Sequence, residues 1–243
     1  MKVERVSYDV MTPSAARGIL EAVHWKPAIR WIIDEIRVLK PVRFQSLRRN
    51  EVGAKVPAGR IRSAMRTGAI GDLVLVADEN RQLRTSTILC DVAYVISAHF
   101  ELTAKADAHE TLAKHLDIFT RRARKGQCFH QPCLGTREFV ADFRLIEPNE
   151  RVPQGISESR DLGFMLWGID HVAQGASLFF RARLENGVVR VPQPGAPEIL
   201  CQQHAQHGYS RSSRPVNCMN TSFKLGRLTV TFSTRTGSSR SAT

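Results

Sequence analysis

Apolar residues along this chain alternate between helical and extended spacing, and the order of the blocks leaves few folds open. Ala16, Ile19, Leu20 and Val23 recur at helical intervals behind Thr12-Pro13, an N-cap followed by proline at the first helical position. Pro27 ends that helix because it has no amide hydrogen to donate. Ala28 to Val38 is rich in Ile, Trp and Val and reads as a strand. Pro41 to Phe44 extends it or pairs back on it, and Arg48-Arg49-Asn50-Glu51 closes the unit. Thr87 to Leu102 reads as one long strand carrying Ile88, Val92, Tyr94, Ile96 and Phe100. Asp107 and Glu110 form a capping-box pattern ahead of a second helix, whose apolar stripe is Leu112, Leu116, Phe119 and Ala123 and whose stop is Gly126. Phe139 to Ile146 reads as the next strand.

Residues 52–86 hold scattered glycines and arginines and read as a long mobile insertion with one apolar piece, Leu73 to Val76. Phe164 to Trp167 and Ser177 to Val191 read as a small set of strands with Glu185-Asn186-Gly187 as the hairpin turn. The tail from Cys201 is rich in Ser, Thr, Gln, His and Arg and reads as disordered, with Leu225 to Phe232 as one isolated strand. The order is helix, strand, strand, helix, strand, then a small β region. A ferredoxin-like fold runs strand, helix, strand, strand, helix, strand. The expectation is an α+β chain: a ferredoxin-like domain over 1–147 lacking its first strand, a small antiparallel β domain over 148–200, and a basic tail over 201–243.

The net charge of +12 favours a polyanion partner, whether RNA, DNA or an acidic protein. Half of it comes from the tail, where Arg211, Arg214, Lys224, Arg227, Arg235 and Arg240 stand with no acid. No apolar run approaches the ~18 residues of a membrane span, and the start has no apolar signal core. Five cysteines at irregular spacing fit reduced thiols in a cytoplasm better than a disulfide framework.

One stretch carries chemistry. Lys114-His115 sits on the second predicted helix, which runs into Arg121-Arg122-Ala123-Arg124-Lys125-Gly126. A histidine moves protons near neutral pH, an ammonium steadies charge building on a phosphate, and a basic cluster holds a nucleic-acid backbone. That is equipment for cutting RNA without a metal, although a basic last turn is also ordinary dipole complementation. Adjacent helical positions point about 100° apart, so both residues can border one cleft without sharing a face. Arg48 and Arg49 either grip phosphates or pair with Glu51 and other acids. The Cys128-x-His130-x-x-Cys133 spacing is not a common zinc pattern, and these residues read as a loop touching RNA or a neighbouring subunit.

An ordered series of motifs resembles a known family. Tyr8 to Ala22 runs on into Trp25-Lys26-Pro27, and Arg48 to Glu51, Asn80-Arg81-Gln82 and Asp91 to Val95 follow. Lys114-His115, Gly126 to Pro132 and Leu134 to Phe139 complete it. Together they resemble the Cas-five family of CRISPR-associated proteins, in its type I-C (Dvulg) branch, over roughly residues 3–200. The resemblance implies a metal-independent endoribonuclease without a cofactor, which cuts precursor CRISPR RNA at the base of the repeat hairpin. It implies an enzyme that stays on the 5′ handle and joins the backbone and large subunits of a surveillance complex. The family's catalytic tyrosine, lysine and histidine fall at His24, Lys114 and His115, and Arg48, Arg49, Arg121, Arg122, Arg124, Lys125 and Arg137 are the candidate nucleic-acid contacts. The alternative is a non-catalytic subunit that binds the RNA handle or duplex DNA.

This chain departs from the family in three places. The family has a strand ahead of the position of Met1, so Met1 reads as an internal methionine of a longer natural protein, which the mass of the native product would check. His24 replaces the tyrosine, and a histidine is the better base at pH 7 than a phenol with a pKa near ~10. The tail beyond residue 200 has no counterpart.

Overall fold

The computed structural model describes residues 5–69, 73–171, 175–201 and 228–234. It is an α+β protein with mainly antiparallel sheets. The elements, in chain order, are β1 (Arg5–Val6), α1 (Pro13–Val23), β2 (Ile29–Val38), β3 (Phe44–Val52), α2 (Ala58–Thr67), β4 (Arg81–Leu89), β5 (Ala93–Leu102) and α3 (Leu112–Arg124). They continue with β6 (Ala141–Leu145), β7 (Arg160–Asp170), β8 (Ala176–Glu185), β9 (Val188–Arg190), β10 (Leu200–Cys201) and β11 (Leu228–Thr234). The chain divides into two compact units, one of residues 1–7 and 44–89, the other of residues 8–43 and 90–243.

The larger unit is built on a sheet of order β10-β8-β9-β2-β5-β11-β6, with β7 on β8. β5 lies deep in it and is buried from Ala93 to Phe100, as a strand covered on both faces must be. Against it Trp31 of β2 packs its ring 5.0 Å from Phe100 and 4.9 Å from Phe119 of α3. The strands of residues 160–190 continue the same sheet, because β9 pairs with β2. Their hairpin turns through Asn186 and Gly187, both at positive φ, the geometry of a two-residue type I′ loop.

Four local expectations are corrected. The apolar run from Thr87 to Leu102 is not one strand: Asp91 adopts φ 49° and separates β4 from β5. Asp107 and Glu110 do not cap α3; Thr111 does, its side chain accepting the Lys114 amide at 3.3 Å. The buried stripe of α3 runs through His115, Phe119 and Ala123, not through Leu112 and Leu116, which are half-buried. The stretch read as isolated near Leu225 to Phe232 forms β11, which pairs on both sides. Leu228 to Ser233 face Ala98 to Ala93 of β5, and Val230 to Thr234 face Leu145 to Ala141 of β6. β5 therefore has a strand on each side, β2 and β11, and β6 closes the edge of the sheet on β11. Residues 225–227 and the rest of the tail read as disordered, 202–224 and 235–243, lie outside the described residues.

Other boundaries follow local chemistry. Thr12 caps α1 by accepting the Ala15 amide at 3.2 Å, with Pro13 opening the helix. The helix stops at His24, which is extended, three residues before Pro27. At the end of α3, Gly126 takes φ 63°, its amide donating to Ala123 and that of Gln127 to Arg122, a Schellman closure.

The smaller unit is a sheet of order β1-β4-β3 with α2, so the stretch 52–86 holds a helix and most of β4 where an irregular insertion was expected. α2 buries none of its residues. No helix among the described residues is long and apolar enough to cross a membrane.

Candidate active site

The C-terminal end of α1 carries His24 to the head of α3. A helix leaves its last carbonyls without intrahelical donors, and here three elements supply them. The Ala22 carbonyl accepts the amides of Phe129 and His130 at 2.9 and 3.0 Å. The Val23 carbonyl accepts Nη1 of Arg122 at 2.9 Å, and the His24 carbonyl accepts the indole Nε1 of Trp31 at 2.9 Å. His24 is thereby fixed with 2% of its surface exposed.

Its Nε2 lies 3.0 Å from Nδ1 of His115, which is wholly buried. On the other side of that ring, Nε2 lies 2.8 Å from Oε2 of Glu110. The approach is off the ring axis, so these two buried atoms make no aligned hydrogen bond with each other. Glu110 also meets two ammonium groups, Nζ of Lys114 at 3.1 Å from Oε2 and Nζ of Lys26 at 3.3 Å from Oε1. A carboxylate only accepts, so its approach to 2.8 Å favours the His115 proton on Nε2. Its Nδ1 then accepts from Nε2–H of His24, and Nδ1 of His24 is left as the free base.

Burial, followed by the neighbouring His115 ring, pushes the His24 imidazole down to about 4. Burial likewise lowers His115, against the pull of Glu110. Both rings are neutral at pH 7. Hydrogen bonding from Lys114, helped by Lys26, holds the Glu110 carboxyl below the usual carboxylate range. The cluster can hold a neutral base inside and an anion outside.

His24, Lys114 and His115 thus come together, with His115 turned into the core and Lys114 outward. The basic candidates separate into three kinds. Arg122 is spent on the α1 carbonyl, and Arg124 is held by Glu147 through two bonds of 2.7 Å. Arg121, Lys125 and Arg137 are exposed and make no ion pair among the described residues. Arg48 and Arg49 lie on β3 of the smaller unit, where Glu51 is taken by Arg5 at 2.5 Å and Arg84 at 3.9 Å. Cys128, His130 and Cys133 do not converge on a metal-holding group among the described residues.

The model of a family described as CRISPR-associated protein (Cas5), of Cas5d type, matches residues 1–192. The chain belongs to the Cas5d family. A "CRISPR pre-crRNA endoribonuclease Cas5d" from Mannheimia succiniciproducens is 56% identical over 203 residues, covering 82% of this chain and 90% of that protein. A protein of the same description from Thermus thermophilus is 40% identical over 226 residues, covering 84% and 90%. Two solved structures share the fold at 23% identity. One is described as a CRISPR-associated protein, with TM-score 0.60 over 81% of this chain and 87% of that one. The other is a functionally uncharacterized Streptococcus mutans protein, with TM-score 0.57 over 80% and 87%.

In this Cas5d-family chain, sequence reasoning missed Glu110, Lys26 and the Trp31 tether. Glu110 was visible four and five residues before Lys114 and His115, one helical turn away, but read as a cap. Lys26 stands in the Trp25-Lys26-Pro27 motif without a role of its own.

Proposed function

We infer that this chain is a CRISPR pre-crRNA endoribonuclease that acts through 2′-hydroxyl attack. The observation that carries the reading is the His24–His115 pair, two neutral imidazoles 3.0 Å apart beside the Lys114 ammonium, in a chain of this family. An imidazole takes the 2′-hydroxyl proton, and the oxygen attacks the next phosphate in line. The proton so taken passes along the His24–His115 hydrogen bond to the departing 5′-oxygen, giving a cyclic phosphate and a 5′-hydroxyl. Lys114 stabilises the charge on the phosphate. The step needs no metal and no cofactor. The cut falls at the repeat hairpin, and the enzyme keeps the 5′ handle as a subunit of a type I-C surveillance complex in the cytoplasm, beside its backbone and large subunits. Exposed Arg121, Lys125 and Arg137, with Arg48 and Arg49, hold the RNA backbone.

The finer fold reading is ferredoxin-like, supported by the order β2-β5-β11-β6 with α1 and α3 in contact. In it β11 takes the slot and antiparallel direction of the first strand.

One observation favours the second reading, a non-catalytic subunit binding RNA or duplex DNA: both imidazoles are closed to solvent. The test is incubation of the purified chain, in EDTA, with the hairpin repeat RNA of its own array. The expected result is one cut leaving a cyclic phosphate, slowed by ~10²–10⁴ in His115→Ala with RNA binding retained. Binding without a cut supports the second reading.

A further inference from the structure

The Glu110 carboxylate is surrounded by donors to an unusual degree for a single acid at a protein surface. Two ammonium groups from different elements, Lys26 after α1 and Lys114 on α3, approach its two oxygens at 3.3 and 3.1 Å. The edge of a buried imidazole closes the third side at 2.8 Å. This is the donor set of an oxyanion site, and the chain's own carboxylate fills it. A second observation says that the filling is imperfect. Nε2 of His115, with no exposed surface, faces Oε2 of Glu110 without an aligned hydrogen bond between them. A buried polar atom in that state costs stability unless something better placed can satisfy it. The two lysines are half-exposed and can swing with an incoming anion, whereas His115 cannot move.

We propose that Lys26, Lys114 and His115 form a binding site for a phosphodiester oxyanion, and that Glu110 occupies this site as an internal anion which RNA must displace. The proposal rests on the nuclease reading for the identity of the phosphate, the scissile one, but not for the existence of the site. It makes Lys26 a phosphate-binding residue. It also gives a route to the buried imidazoles: removal of the Glu110 carboxylate opens the Nε2 edge of His115. A tetrahedral oxyanion offers acceptors in several directions, so it can meet both ammonium groups and the ring N–H together, which a planar carboxylate at a fixed position does not.

The experiment uses inorganic sulfate as the probe and the full chain as it exists. Thermal unfolding is followed across a sulfate titration for wild type, Glu110→Gln and Glu110→Gln/Lys26→Met. Glutamine keeps the size of the side chain and removes its charge. The expected result is half-saturation at a several-fold lower sulfate concentration in Glu110→Gln, with that gain lost when Lys26→Met is added. The same sulfate response in wild type and Glu110→Gln overturns the proposal. Lys26→Met alone is a second variant, expected to weaken the wild-type response at high sulfate, and an unchanged response again overturns it. Single-turnover cleavage of repeat RNA then separates this site from the nuclease reading. A lower half-saturating RNA concentration in Glu110→Gln supports displacement. A slower rate at saturating RNA with an unchanged sulfate response overturns it, leaving Glu110 as a positioning residue for His115. A sulfate difference in a chain that cuts no RNA keeps the anion site and removes the nuclease.

Discussion

Phe232→Ala tests whether β11 belongs to the sheet. Phe232 is 1% exposed, and its ring lies 6.2 Å from that of Phe143 on the neighbouring strand. Its backbone faces Tyr94 of β5 on one side and Phe143 of β6 on the other. Truncating a buried phenylalanine typically costs ~3–5 kcal/mol, and the cost is larger where the surroundings cannot collapse into the hole. Ladders on both sides hold the strand in place, so the upper part of that range is expected. For a chain of this length each kcal/mol moves the midpoint by about 2–4 °C, so a loss of about 4–5 kcal/mol gives a drop of roughly 8–20 °C. Phe129→Ala is the control. It is 74% exposed, and its removal is expected to change stability by no more than ~0.5 kcal/mol. Urea and thermal unfolding of the full chain, followed by far-UV circular dichroism, read both variants. A Phe232→Ala midpoint as close to wild type as the control would refute the reasoning and return β11 to an unattached segment.

Arg121→Ala with Lys125→Ala is expected to weaken RNA binding and flatten its salt dependence, whereas Arg124→Ala does less because Glu147 already holds that guanidinium; a salt series of binding isotherms decides. Stability is expected to depend on pH through His24, whose folded value of about 4 lies below the ~6.5 of an unfolded histidine. The unfolded chain binds more protons between those values, so the contribution is full above ~6.5 and is lost as pH falls toward 4. It amounts to on the order of 2 kcal/mol once solvent screening is allowed for. Urea midpoints measured from pH 7 to pH 4.5 check this, and His24→Gln should flatten the slope.

What the sequence made legible was set by neighbours along the chain. Thr12-Pro13 opens α1, Gly126 closes α3 and Asn186-Gly187 turns a hairpin, because each depends on the dihedral angles or donors of a few adjacent residues. Three features were misread, two of them because they depend on distant partners. Asp91 interrupts an apolar run without a glycine or proline to announce it, since aspartate can adopt positive φ. β11 is one apolar patch in a polar tail, and only β5 and β6, from the middle of the chain, give it a ladder. The stripe of α3 turns by one residue, from Leu116 to His115, because an imidazole can be buried when His24, 91 residues away in sequence, meets its nitrogen. That His24, Lys114 and His115 would come together was legible by family motif. Glu110 was not, because its partner Lys26 lies 84 residues back and nothing local distinguishes it from a capping acid.

The depth at which each group sits divides the proposed labour. A histidine serves as a base only while neutral, and burial at the α1–α3 junction keeps both rings neutral at pH 7 at the expense of access. Ammonium groups gain nothing from burial, and Lys26 and Lys114 stay half-exposed, where they can attract a polyanion before any imidazole is reached. Glu110 stands between the layers and touches members of both. While its carboxylate remains, it neutralises the lysines and covers His115. Once a phosphate replaces it, the lysines are already paired to the anion and the ring edge is uncovered in the same movement. Binding at the surface and proton transfer in the interior are then linked through one side chain. That coupling predicts that Glu110→Gln changes the RNA concentration needed for cutting more than the rate at saturation.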